Sequence, residues 1–273
     1  MTDVSNHLFE TIDRQNQHES AATRRQLIKG TTAALAGAGV LGLAMGTAPA
    51  GAAVKTNEDN SVANILAVAA TAEVLATIVN TLGPEKLGSK LDATTTRNIR
   101  AAAQQEKNHY ELLTSSAVGG KAVTTSIHVP DEVFSSPEAL LTTLAVGDQV
   151  FVNAYLLGLT VFARQGTLSG TRFARYAAEI MAVESVHRAL ALQSLGKLGN
   201  DRVYAKFAQR EDTPGLPTTN APGFYKILDA VAVLESAGFG FGKAGSKPGQ
   251  MYTYADVSAR TPTDPGVNTL TIS

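Results

Sequence analysis

The chain has 273 residues, a formal net charge of −1 and 44% apolar content. That supplies one substantial core, and the near-zero charge argues against a basic nucleic-acid-binding surface or a polybasic membrane patch. Cys is absent, which excludes disulfides, thiolate metal sites, iron–sulfur clusters and a lipidated cysteine anchor.

Residues 1–52 read as an export signal. A polar stretch is followed by Thr23-Arg24-Arg25-Gln26-Leu27-Ile28-Lys29, and then by an Ala- and Gly-rich apolar run from Gly30 to Gly46. Ala48-Pro49-Ala50 and Ala50-Gly51-Ala52 offer small-residue cleavage sites. The paired arginines resemble a twin-arginine signal, so the expected partner is the twin-arginine export machinery. The expected location is periplasmic, cell-wall or extracellular, with a mature form that does not span the membrane.

Four helices are expected between residues 57 and 199. The first runs from about Asn60 to Leu82, apolar on most faces, with Glu73 as the only acid in its middle; Gly83-Pro84 is expected to end it. The second starts after Asp92, a good N-cap, and runs to about Ser115. Its inner stripe is Ile99, Ala102, Ala103, Glu106, His109 and Leu113, so Glu106 and His109 lie on the apolar side. Residues 116–135, with Gly119-Gly120 and Pro130, are too long for an ordinary helix–helix loop and read as a crossover.

The third helix opens on Ser136-Pro137-Glu138, an N-cap followed by Pro at the first helical position, and runs to about Arg164. Asp148 is the sole acid of its apolar interior, with Gln149 beside it as an alternative inward residue. Gly166 and Ser169-Gly170 separate it from a fourth helix, about Thr171 to Leu195, whose inner face carries Glu184 and His187. Residues 200–273 read as an extension: a loop over 212–223, a short helix from Phe224 to Ser236, and an irregular tail with Met251–Val257 extended, the whole strapped to the outside of the bundle.

The motif with chemistry in it is Glu-x-x-His. Thirteen glutamates and five histidines placed at random would give about 0.24 such pairs, and the chain has two, Glu106/His109 and Glu184/His187. A Glu and a His three residues apart share a helix face. Two such pairs on facing helices, with one carboxylate from each of two more helices, form the cage of a di-metal carboxylate bundle.

On these residues and the crossover, the segment from Asn60 to Leu195 resembles the exported bacterial members of the ferritin-like superfamily. The resemblance implies an all-α, ferritin-like four-helix bundle with the long connection between helices 2 and 3. It implies a pair of Fe or Mn ions (Zn also fits the donors), with Glu106 and Glu184 bridging or chelating, His109 and His187 each on one metal, and Glu73 and Asp148 as terminal ligands. The chain departs from the family at Asp148, where Glu is usual; one methylene less shortens the reach by about 1.3 Å.

Second-shell partners for the histidines are expected among Asn108, Asn153 and neighbours of Asp148; Tyr110 and Tyr155 read first as core-filling aromatics, with a redox or hydrogen-bonding role near the metals as the alternative. His128 reads as structural or exposed and Glu235 as solvent-facing. Three functions compete. One is an exported di-metal protein handling O₂ or peroxide, another a metal-free stress or envelope protein that keeps the bundle for packing or partner binding, and the third a metal store. A store requires a many-subunit shell, whereas a monomer or dimer is the expectation here.

Overall fold

A computed structural model of the chain describes residues 60–200, 224 and 226–263. The expected signal at 1–52 and the loop at 212–223 lie outside these residues. Four long helices dominate: α1 (Val62–Leu87), α2 (Ala93–Thr114), α3 (Pro137–Arg164) and α4 (Leu168–Ser194). Each starts on a side chain that caps its free amides: Ser61, Asp92, Ser136 and Thr167 accept from the amides of Asn64, Thr95, Ala139 and Gly170. Pairing is by hairpins, α1 with α2 and α3 with α4, which meet through α1–α3 and α2–α4. This is an all-α bundle with a long link between its second and third helices.

Two helix boundaries differ from the expectation. α1 does not stop at Gly83-Pro84 but continues through Pro84 to Leu87. An interior Pro costs about 3 kcal/mol. The extra turn offsets it by burying Leu87 to 3% exposure, and Gly83 lets Leu140 approach to where a Cβ would lie 2.7 Å from its Cδ2. α4 begins three residues early, at Leu168, with Gly170 inside its first turn. A Cβ on Gly170 would sit 2.5 Å from the Phe162 carbonyl oxygen, so this glycine permits the α3–α4 corner to close.

The crossover and the tail form a structure that composition did not suggest. Ser126–Pro130 (β1) is the central strand of a three-stranded antiparallel sheet, flanked by Gly240–Phe241 (β2) and Gly249–Thr253 (β3). Ile127 pairs with Phe241 on one side and Tyr252 on the other. The tail expected to be irregular therefore supplies two strands, because the crossover's β-branched residues offer it a ladder. His128 is buried in β1, its Nε2 2.9 Å from the Lys247 carbonyl oxygen, a structural role.

Helix α5 (Ile227–Ser236) packs on α1 and α3, and the short α6 (Tyr254–Ser258) packs on α1. Beyond α6, a buried Thr81–Thr261 hydroxyl pair at 2.9 Å fastens the chain to α1.

Cover on so many sides explains why α1 is apolar nearly all round. The stretches Val62–Lys90 and Pro137–Arg164 are long and apolar enough to cross a bilayer by length and composition. In both, 67% of the most apolar window is buried inside the protein, and the mid-helix acids Glu73 and Asp148 face its interior.

Candidate metal centre

Midway along the bundle, each long helix sends acid or imidazole groups inward: Glu73 from α1, Glu106 and His109 from α2, Asp148 from α3, Glu184 and His187 from α4. The i, i+3 spacing puts each Glu/His pair on one helix face, and the apolar residues around it turn that face to the core. Glu73, Glu106 and Glu184 are fully buried, and none of the other three exceeds 9% exposure. The six sequence-predicted side chains thus come together at one interior place.

They form two overlapping groups. Glu73, Glu106, His109 and Glu184 make one; Glu106, Asp148, Glu184 and His187 make the other, and within each group one ligand atom per residue lies within 4.8 Å of the rest. Glu106 and Glu184 belong to both. His109 Nδ1 is 3.3 Å from Glu106 Oε2 and 3.4 Å from Glu184 Oε1; His187 Nδ1 is 2.9 Å from Glu106 Oε1 and 3.5 Å from Glu184 Oε2. Each shared carboxylate therefore turns one oxygen to each imidazole. Glu73 Oε2 lies 3.5 Å from His109 Nδ1.

Asp148, though a methylene short, still reaches the second group. Gln149 faces elsewhere, its Nε2 donating to Asn153 Oδ1 at 3.3 Å.

Several of these atoms lack a hydrogen-bond partner among the described residues: Glu73 Oε2, Glu106 Oε1, Asp148 Oδ2, both oxygens of Glu184, and His187 Nδ1. A buried polar atom without a partner costs about 1–3 kcal/mol. Six at one point, all lone-pair donors, are the pattern a cation would satisfy. His187 Nδ1 and Glu106 Oε1 approach to 2.9 Å as an ion pair without forming a hydrogen bond of good geometry.

Without a cation the site must manage its charge by protonation. Burial raises the Glu73 carboxyl well above the ordinary range, against the opposing pull of His109. Burial likewise raises Asp148, and the nearby Glu184 carboxylate adds to it. Burial also pushes Glu106 up, but the two imidazoles, His187 first, outweigh it and hold that carboxyl low. Both histidines are held above the usual imidazole range: burial opposes this, and Glu73 for His109 and Glu106 for His187 overcome it.

Two residues join the site beyond the six expected ligands, Tyr155 in the less favoured of its two expected roles. Tyr155, read as core filling, donates its hydroxyl to Glu73 Oε1 in a short hydrogen bond. It lies seven residues after Asp148, two helical turns on the same face, and that spacing was a signal for it. Gln105 takes the second-shell role expected of Asn108 or Asn153: its Oε1 is 2.7 Å from His187 Nε2. With Nε2–H donated to Gln105, Nδ1 is the ring nitrogen His187 turns to the carboxylates, as N–H in the metal-free site and as a lone pair toward a cation. Helical spacing separates Gln105 from Gln104, expected on the outer face with Arg97, Arg100 and Lys107: Gln105 lies three residues after Ala102 and four before His109, and that was its signal. Tyr110 instead packs against Tyr254, ring centroids 4.3 Å apart.

Fold and site together define a ferritin-like helical bundle whose core acids and histidines are arranged to bind metal. The family model for the ferritin-like domain matches residues 58–197, a little over half of the chain, and the chain belongs to that family. No curated protein and no solved structure matches it.

Proposed function

We propose that the chain is an exported ferritin-like metalloprotein that holds two Fe or Mn ions in the bundle core and acts as an oxidase on O₂ or peroxide. The observation that carries this reading is that Glu106 and Glu184 each offer one oxygen to each histidine-bearing half of the site. Glu106 and Glu184 would serve both ions, with Glu73 and His109 helping to hold one and Asp148 and His187 the other. Two divalent cations would balance four carboxylates with both imidazoles neutral, a balance that protons on the two histidines alone fall short of.

Carboxylate and imidazole donors suit Fe and Mn, with Zn the redox-silent alternative. The bound metals would supply the redox chemistry. The chain's own groups then have defined tasks. Gln105 holds the ring of His187 with its lone pair inward. Tyr155 donates its hydroxyl to Glu73 Oε1 and so fixes that carboxylate's orientation. The apolar residues around the six side chains keep water out.

Export by the twin-arginine route is supported by the order of residues 1–52, and that route suits a protein loaded with metal before it crosses. A monomer or dimer fits the reading.

Elemental analysis of the protein purified from its native compartment tests the proposal. About two Fe or Mn per chain are expected, and none in a Glu106→Ala, His187→Ala double variant that keeps its helical circular dichroism. Absence of metal from the native protein would favour the metal-free envelope protein instead.

A further inference from the structure

An apolar cavity of about 310 Å³ lies beside the metal cluster, between α1, α3 and α5. We propose that it binds an uncharged, hydrocarbon-rich small molecule of about ten carbons, since this volume is roughly twice that of a cavity that accepts benzene. The inference concerns a space separate from the six core side chains and does not depend on their holding metal.

Three features support it. The space exists because its walls carry small residues, Ala69 and Ala72 on α1 and Ala154 on α3, where larger side chains would fill it; Phe151 and the α5 residues Leu228 and Val231 supply apolar surface around them. Interiors are otherwise close-packed, so an empty volume of this size forfeits contacts on every wall.

The second feature is the chemistry of the lining. Thr71 Oγ1 donates to the Ala67 carbonyl and accepts from the Val123 amide. The Tyr155 hydroxyl is committed to Glu73, and the Glu235 carboxylate to the Lys243 ammonium at 3.0 Å. Tyr176, half-buried, adds one hydroxyl. Among the described lining residues an ionised ligand would find no counter-charge outside the Glu235–Lys243 pair, whereas a hydrocarbon needs none.

Third, the cavity has both an access point and a reason for its position. Val123, 45% exposed, borders it and marks where it meets solvent. Its roof is α5 and Phe241 of β2, contributed from beyond the four-helix bundle. At its inner end stands Tyr155, so a bound molecule lies one side chain away from Glu73.

The test is titration of the full chain with naphthalene, followed by its own fluorescence, with 1-decanol and decanoate as competitors. Saturable binding at one molecule per chain is expected, with displacement by 1-decanol and displacement at least about tenfold weaker by decanoate. Ala154→Phe and Val231→Phe, which project into the space from opposite walls, should each weaken binding by at least about tenfold with helicity retained. Val231→Ala, which adds no bulk, should still bind and serves if a filled variant fails to fold.

The Glu106→Ala, His187→Ala chain should lose metal yet keep naphthalene, so failure of the metal reading and failure of this one are distinguishable. No saturable binding to the full chain overturns the proposal, and this includes the case in which another segment of the chain occupies the cavity. Equal binding by both filled variants, decanoate as strong as 1-decanol, or loss of naphthalene in the still-helical double variant also overturns it.

Discussion

Of the two glutamates it pairs with, His187 of the second Glu/His motif sits closer to Glu106 of the first, with Nδ1 2.9 Å from Oε1, than to its own partner Glu184 at 3.5 Å. The two motifs are interlocked: each half of the site draws on both helical hairpins, so neither hairpin carries a complete half by itself.

That interlock predicts an uneven response to single substitutions. Glu106→Ala removes an oxygen from both halves and is expected to abolish binding of both ions. Asp148→Ala and Glu73→Ala each touch one half and should leave about one ion per chain. Stoichiometry by elemental analysis after gel filtration reads this directly. Retention of one ion by Glu106→Ala, or loss of both in the two outer variants, would contradict the shared-carboxylate arrangement.

Gln105 should matter to affinity although it faces away from the cluster. Its carbonyl oxygen fixes the His187 ring, and loss of such an outer-shell partner typically weakens metal binding about 10–100-fold. Gln105→Ala is expected to fall in that range in a chelator competition assay, while Gln105→Glu, which keeps an acceptor there, should recover most of the loss. Wild-type affinity in Gln105→Ala would show that packing alone holds the imidazole.

The stabilisation that metal confers should grow with pH. In the metal-free chain His109 and His187 are held above their ordinary value of 6.5. A group raised in this way contributes stability that is fully present below its unfolded value and is lost as pH rises through the folded one. Glu73 and Asp148, raised from 4.5 and 3.8, act in the same direction. Glu106, held low, opposes them only at the acid end, where its contribution disappears as pH falls. The metal-free protein should therefore lose stability as pH rises beyond about 6.5. Metal binding displaces protons and strengthens in the same interval, so the Tm gap between loaded and metal-free protein should widen from about pH 6 to about pH 8. Differential scanning fluorimetry checks this; a gap that narrows rules out proton–metal competition at these groups.

Gly170 offers a test of the fold apart from the site. Ala is the better helix former by about 1 kcal/mol, so propensity alone predicts that Gly170→Ala stabilises α4. The Phe162 carbonyl oxygen would lie 2.5 Å from the new Cβ and Gln165 Cβ 2.7 Å away. Overpacking of that kind costs about 1–3 kcal/mol, and the net change in urea unfolding should be destabilising. A more stable variant would mean that the α3–α4 corner yields easily.

Much of this molecule can be read from one dimension. The four helices announce themselves by apolar period and N-caps, and a lone acid or a Glu/His pair on an apolar face stands out because burying charge is costly. Hence Glu73, Glu106, His109, Asp148, Glu184 and His187 are nameable from sequence, each by its place on one helix.

The tertiary structure alone decided how these faces meet. It set Asp148 rather than Gln149 in the cluster and gave Gln105 the His187 ring. It also turned Tyr155 from packing to hydrogen bonding, carried α1 through Pro84, joined the crossover to the tail in a sheet, and left a cavity under α5. Periodicity reports which side of a helix is buried. Which atom ends up beside which depends on contacts between residues far apart in the chain, and local pattern carries no record of those.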